Sequence, residues 1–95
     1  MIVVRRLIWE SSNEAHIARH AVTRDEVEEV CHGDFIVREA QKGRLMLIGP
    51  NQAGKVLAVI LDPEDEDGVY YPVTARPADR GERRIYREQK GGGSR

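Results

Sequence analysis

After an opening strand-like run, apolar positions follow a helical period from Ser11 to about residue 35, a strand period to about residue 75 and a helical pattern again towards the C-terminus. The run over residues 2–8 is rich in β-branched side chains and predicts a first strand leading into Trp9. Ser11 followed by Glu14, and Thr23 followed by Glu26, each have the spacing of a capping box, in which a hydroxyl and a carboxyl satisfy the free amides of a first helical turn. Two short helices are therefore expected. The first runs to about His20, with Ile17, Ala18 and Ala21 on one face and Asn13, His16 and His20 together on the neighbouring side. Ala21 and Val22 form a tight connection; the second helix then buries Val27, Val30 and Cys31 and ends at Gly33.

Four strands are expected to follow as a meander. Residues 35–40 are the first, and residues 41–43 supply a turn. Arg44, Met46 and Ile48 then alternate with Leu45, Leu47 and Gly49, up to a hairpin turn at residues 51–54. Residues 55–61 are almost continuously apolar, as in a central strand, and residues 62–68 make an acidic hairpin tip. Residues 69–75 are the last strand, where Pro72 lacks a ladder donor and favours an edge or a bulge. Beyond Arg76, Asp79 caps a final helix with Glu82 at its third position, continuing to Lys90 with only Ile85 and Tyr86 to bury. The fold class is α+β: an N-terminal strand and two short helices, a four-stranded antiparallel meander and a C-terminal helix, with the helices expected on one side of the sheet.

Length and composition narrow this. Ninety-five residues make one domain, read as residues 1–90 with a disordered tail over 91–95. One third of the residues are charged, and no run approaches the roughly 20 apolar residues of a membrane helix, so a cytoplasmic protein is expected. Cys31 is the sole cysteine, which excludes a disulfide framework. The net charge of -1 hides opposed blocks. Residues 1–34 hold seven acids against four bases and residues 62–67 hold five acids, whereas residues 76–95 hold seven bases against three acids. That asymmetry predicts a cationic face suited to phosphates and a separate anionic surface. His16 and His20 have the spacing HxxxH but lack the intervening Glu of a zinc-protease helix, so packing against the sheet and structural hydrogen bonding compete with a chemical role.

Ile8 and Trp9, then Asn13, His16 and Ile17, the His20 to Thr23 connection, the second helix around Glu26 and Val30, and the ending VTARPADRGERRIYRE together resemble the BrnT-like toxins of type II toxin-antitoxin systems, which have the RelE-like ribonuclease fold. Thr74, Ala75, Arg76, Glu82, Arg83, Arg84 and Tyr86 carry the C-terminal part of the likeness. Two features depart from it: Ala21 stands where the family usually has glycine, and the acidic insert over residues 64–67 is longer than the family's hairpin.

The resemblance implies a metal-independent endoribonuclease that cleaves messenger RNA, needs no cofactor and is neutralised by a small antitoxin, basic or of the ribbon-helix-helix type. DNA would be met only through that antitoxin, with dimerisation left open. Such cleavage needs a base for the ribose 2′-hydroxyl, an acid for the leaving oxygen and cations for the phosphate. His16 and His20 are candidates for base or acid, and Arg76 is a catalytic cation aimed from a strand end. Tyr86 is a proton donor or stacking group, and Lys42, Arg44, Arg83 and Arg84 are phosphate contacts. The competing roles are structural: a salt bridge from Arg76 to Glu82 or Glu10, a solvated helix face for Arg83, Arg84 and Arg87, and, for the whole chain, a non-catalytic interaction subunit on the same fold.

Overall fold

The computed structural model describes residues 2–91; of the tail expected over residues 91–95, Gly91 is described as the C-cap of the last helix and residues 92–95 lie outside the described residues. Its sheet has the order β1-β5-β4-β3-β2, with β1 at Arg6–Leu7, β2 at Ile36–Glu39, β3 at Leu45–Pro50, β4 at Val56–Pro63 and β5 at Val69–Pro77. The four-stranded antiparallel meander is present, and the apolar run of β4 is its central strand. β1 is shorter than expected and pairs in parallel with Val69 and Tyr70 at the start of β5, which makes the sheet mixed.

The turns follow from their residues. Lys42 and Gly43 both have positive φ in the tight turn between β2 and β3. Between β3 and β4, Asn51 folds its side chain over the hairpin and accepts the Lys55 amide at 2.9 Å, while Gly54 supplies a φ of 90°. Pro72 marks a bulge, on the flank of β5 beyond the end of β1. Ile60 pairs with Thr74 but Leu61 pairs with Pro72, so Val73 is the extra residue of the bulge.

Helices α1 (Ser11–Ala18), α2 (Arg24–Cys31) and α3 (Arg80–Lys90) form where the capping residues expect them, with one shift. The cap of α1 is Glu10, not Ser11: its backbone is extended and its N–H donates to Asn13 Oδ1 at 2.8 Å. Asn13 fixes that start because its buried amide also donates to the carbonyls of Ile8 and Pro72, each at 3.0 Å, which closes the flank of β5 where β1 has ended. The helix stops at Ala18, leaving Ala18 and Ala21 exposed, so only Asn13 and Ile17 are buried from it. Thr23 and Glu26 form the expected capping box of α2, and Asp79 and Glu82 that of α3.

The helices do not gather on one side. Alternation along the strands sends Leu47, Leu57, Val59, Leu61 and Ala75 to one face, where Ile17, Val22, Val27, Val30 and Cys31 of the α1–α2 layer complete a closed core. Ile36, Ile48 and Ala58 point to the other face and meet Ala78, Ile85 and Tyr86 of the α3 segment. The reason lies in the residue parity: each central strand is apolar on both faces, so each face needs a cover. Trp9 joins the α1–α2 layer, its indole donating to Glu28 Oε2 at 2.8 Å with the Arg24 guanidinium 5.4 Å over its ring.

Candidate active site

The strand register assembles the polar groups of the α3 face. Arg76 lies opposite Ala58 and thus on the α3 side, and Arg38 lies opposite Met46, which faces the same way. The N-terminal turn of α3 is placed beside them by the short link through Pro77 and Ala78. Arg38, Glu39, Met46, Asp79, Gly81, Glu82 and Ile85 line a cleft of about 380 Å³ between β2, β3 and that helix end.

Glu82 is the centre of this cluster. Arg76 donates from Nη1 to Glu82 Oε1 at 2.7 Å and from Nη2 to Oε2 at 2.8 Å, a bidentate pair that holds a guanidinium in one orientation. The Glu82 side chain is only 14% exposed while that of Arg76 is 40% exposed, so the cation faces water and the carboxylate is tucked behind it. The hydrogen bonds from Arg76 are the main reason that the Glu82 carboxyl sits below its usual range; the Asp79 amide and the charge of Arg38 push the same way, against the cost of burial. Arg76 is raised in turn, chiefly by its bond to Glu82. Arg38 is exposed and makes no hydrogen bond or ion pair among the described residues.

The other expected site residues are dispersed. His16 of α1 and His20, just beyond its end, are exposed and in edge contact, with ring centroids 5.5 Å apart, and α1 packs on the sheet face opposite Arg76. They do not join the Arg76 cluster, because Ile17 and not the histidines is the inward residue of α1. Among the described residues, no group of three His, Cys, Asp or Glu side chains converges closely enough to hold a metal ion. Tyr86 shares the α3 face with Glu82, yet its hydroxyl lies 3.2 Å from the carbonyl and 3.3 Å from Oδ2 of Asp34, and Lys90 Nζ lies 2.7 Å from Asp34 Oδ1. Burial, followed by the Asp34 charge, raises the Tyr86 hydroxyl above its ordinary value. That side chain anchors the helix to the start of β2.

Arg83 donates to the Ala78 carbonyl at 2.7 Å and so braces the turn before its own helix, whereas Arg84 is a solvated residue of the outer face. Arg44 reaches toward Asp62 at 3.9 Å, and Lys42 is exposed at the turn between β2 and β3. The acidic loop over residues 64–67 lies at the far end of β5 from Arg76, against Arg5 and Arg6. Arg38 escaped the sequence reading as a site residue, and Glu82 entered it as a capping residue, a salt-bridge partner of Arg76 and part of the C-terminal likeness, but not as a site residue. Parity was the usable signal for Arg38, since it is two residues from Ile36 in the same strand and must share its face.

No family model matches the chain, and no curated protein does. A solved structure does: the ribonuclease toxin BrnT of Brucella abortus is similar at a TM-score of 0.63 and 24% identity, over 79% of this chain and 97% of that one. The α+β architecture of a mixed five-stranded sheet, two helices on one face and a C-terminal helix on the other is thus the fold of a BrnT toxin.

Proposed function

We propose that this chain is the toxin of a type II toxin-antitoxin pair, an endoribonuclease that cleaves messenger RNA in a cleft between the sheet and the start of α3. The observation that carries the reading is Arg76, a partly exposed guanidinium fixed by two short bonds beside a cleft that also presents the unpaired Arg38. The likeness in fold to a solved ribonuclease toxin supports it. A phosphodiester carries its developing charge on oxygens that paired guanidinium groups bind in the same fork geometry as a carboxylate, so these cations suit the transition state of RNA cleavage. The partner is a small antitoxin, basic or of the ribbon-helix-helix type, and any contact with DNA runs through it.

One observation favours a second reading, that of a non-catalytic interaction subunit on the same fold: Arg76 spends two of its nitrogens on Glu82 and is electrostatically compensated. Induced expression separates the two. The nuclease reading expects growth arrest with falling messenger RNA, abolished by Arg76→Ala, and co-purification with the product of the adjacent reading frame. A wild-type chain that is harmless at high level leaves the interaction subunit as the better account.

A further inference from the structure

We propose that Glu82 is the catalytic base of this cleft, taking the proton from the ribose 2′-hydroxyl while Arg76 and Arg38 hold the phosphate. The inference rests on the nuclease reading and adds to it a residue and a sequence of events. Metal-free RNA cleavage needs a group with a free lone pair within hydrogen-bond reach of the 2′-hydroxyl and next to the phosphate cations. The histidines stand on the other side of the sheet, and the Tyr86 hydroxyl is committed to Asp34. Of the carboxylates lining the cleft, Glu39 is exposed and makes no bond among the described residues, and Asp79 is occupied in capping α3. Glu82 alone touches the phosphate-binding candidate Arg76, is largely shielded from solvent and is oriented from two sides, by Arg76 and by the Asp79 amide.

Binding and activation are coupled by the same pair. In the free protein Arg76 occupies both carboxylate oxygens and keeps Glu82 ionised but weakly basic. A phosphodiester that takes over the Arg76 N–H groups removes the bonds that depress the carboxylate, and Glu82 becomes a stronger base once substrate is seated. Its carboxylate then accepts the 2′-hydroxyl proton, O2′ forms a bond to phosphorus, and the P–O5′ bond breaks. O5′ leaves with a proton from water, and the hydroxide so formed takes up the proton from Glu82, so the products are a 2′,3′-cyclic phosphate and a 5′-hydroxyl end, with nothing oxidised or reduced. The charged groups facing Glu82 are Arg76 from β5, Arg38 and Glu39 from β2 and Asp79 at its own helix cap.

The test compares purified wild type with Glu82→Gln and Glu82→Asp on an RNA oligonucleotide, alongside binding of its 2′-O-methyl analogue, which cannot be cleaved. Glu82→Gln is expected to lower cleavage by about 10²- to 10⁴-fold with analogue affinity retained, and Glu82→Asp to keep part of the rate. The wild-type kcat/KM, which reports the free protein, is expected to stay level from pH 7 down to about 5, where a histidine base would fall away near its pKa of roughly 6.5. Glu82→Gln that still cleaves like wild type overturns the inference. So does a variant that loses binding and cleavage equally, which makes Glu82 a positioning residue for Arg76, or an acid limb near the histidine value. Should Glu82→Gln fail to fold by circular dichroism, the wild-type pH profile decides alone. A wild type that cleaves no RNA sinks the nuclease reading and this inference together, whereas the other results sink only the base.

Discussion

The two faces of one sheet are built from alternate residues of the same strands and have opposite characters. Toward α1 and α2, Leu47, Leu57, Val59, Leu61 and Ala75 are fully buried under a layer that supplies five more buried apolar side chains. Toward α3, Ile48 and Ala58 are buried, but the helix itself buries none of its residues completely, and Arg38, Thr74 and Arg76 share the face with them. One face is closed and holds the fold together; the other is half covered and keeps its ionic groups accessible. A single β-period therefore gives one closed face and one with accessible ionic groups, with Ala75 and Arg76 as neighbours that belong to the two.

The largest expected contrast comes from truncating one residue on each side of β3. Leu47 is 0% exposed in the closed core, so Leu47→Ala is expected to cost about 2–5 kcal/mol. Its neighbour Met46 is partly exposed at the mouth of the α3 cleft, where Met46→Ala is expected to cost about 1 kcal/mol, because water already reaches part of the side chain. Urea unfolding of the two variants measures the difference. Equal losses would mean that the α3 face carries as much of the fold as the closed one, and the division of labour would be wrong.

Why the sequence revealed one face better than the other follows from the range of the interactions. The closed face is local in origin: the capping box of Thr23 and Glu26, the Val27–Val30–Cys31 stripe and the turn signals are each contained within a few residues. The α3 face depends on register between strands far apart in the chain, as when Arg38 and Arg76 come to share a face with Glu82 through the pairing of β2, β3, β4 and β5. Helical spacing made His16 and His20 conspicuous but carried no information about which side of the sheet α1 would cover. The shift of the α1 cap to Glu10 has a similar cause, since Asn13 answers to Pro72, 59 residues away.

A smaller effect is expected on the closed side, at the link between its two helices. Ala21 has a φ of 61°, a left-handed conformation that disfavours any residue with a Cβ, and it is exposed, so no packing contact compensates. Ala21→Gly removes that penalty, although glycine also gains entropy in the unfolded chain. The net expectation is a gain of about 1 kcal/mol in thermal or urea unfolding; under the proposed nuclease function, cleavage is unchanged because the link is on the far side of the sheet from Arg76. A loss of cleavage on this substitution would break the separation of the two faces, since it would tie the α1–α2 layer to the cleft.

The smallest effect concerns acid, and it should touch only the open face. The buried thiol of Cys31 is the titratable group of the closed core, and burial, aided by the Glu28 charge, pushes it up to about 12, so it stays neutral through the acid range. On the open face, Glu82 is depressed mainly by its bonds to Arg76 and Asp34 mainly by its bond to Lys90. For a depressed carboxyl the contribution to stability is present above its unfolded value, about 3.9 for Asp and 4.3 for Glu, and is lost as pH falls through the lower folded value. Both carboxyls tie α3 to the rest of the molecule, Glu82 through β5 and Asp34 through Lys90 and Tyr86. Asp34 is well exposed, so solvent screening keeps its share small. Acidification from pH 6 to 3 is therefore expected to raise amide exchange in α3 before it does so in α2 or β4. If α2 and β4 open together with α3 over that range, the open face is not a separable layer and the sheet responds to acid as one unit.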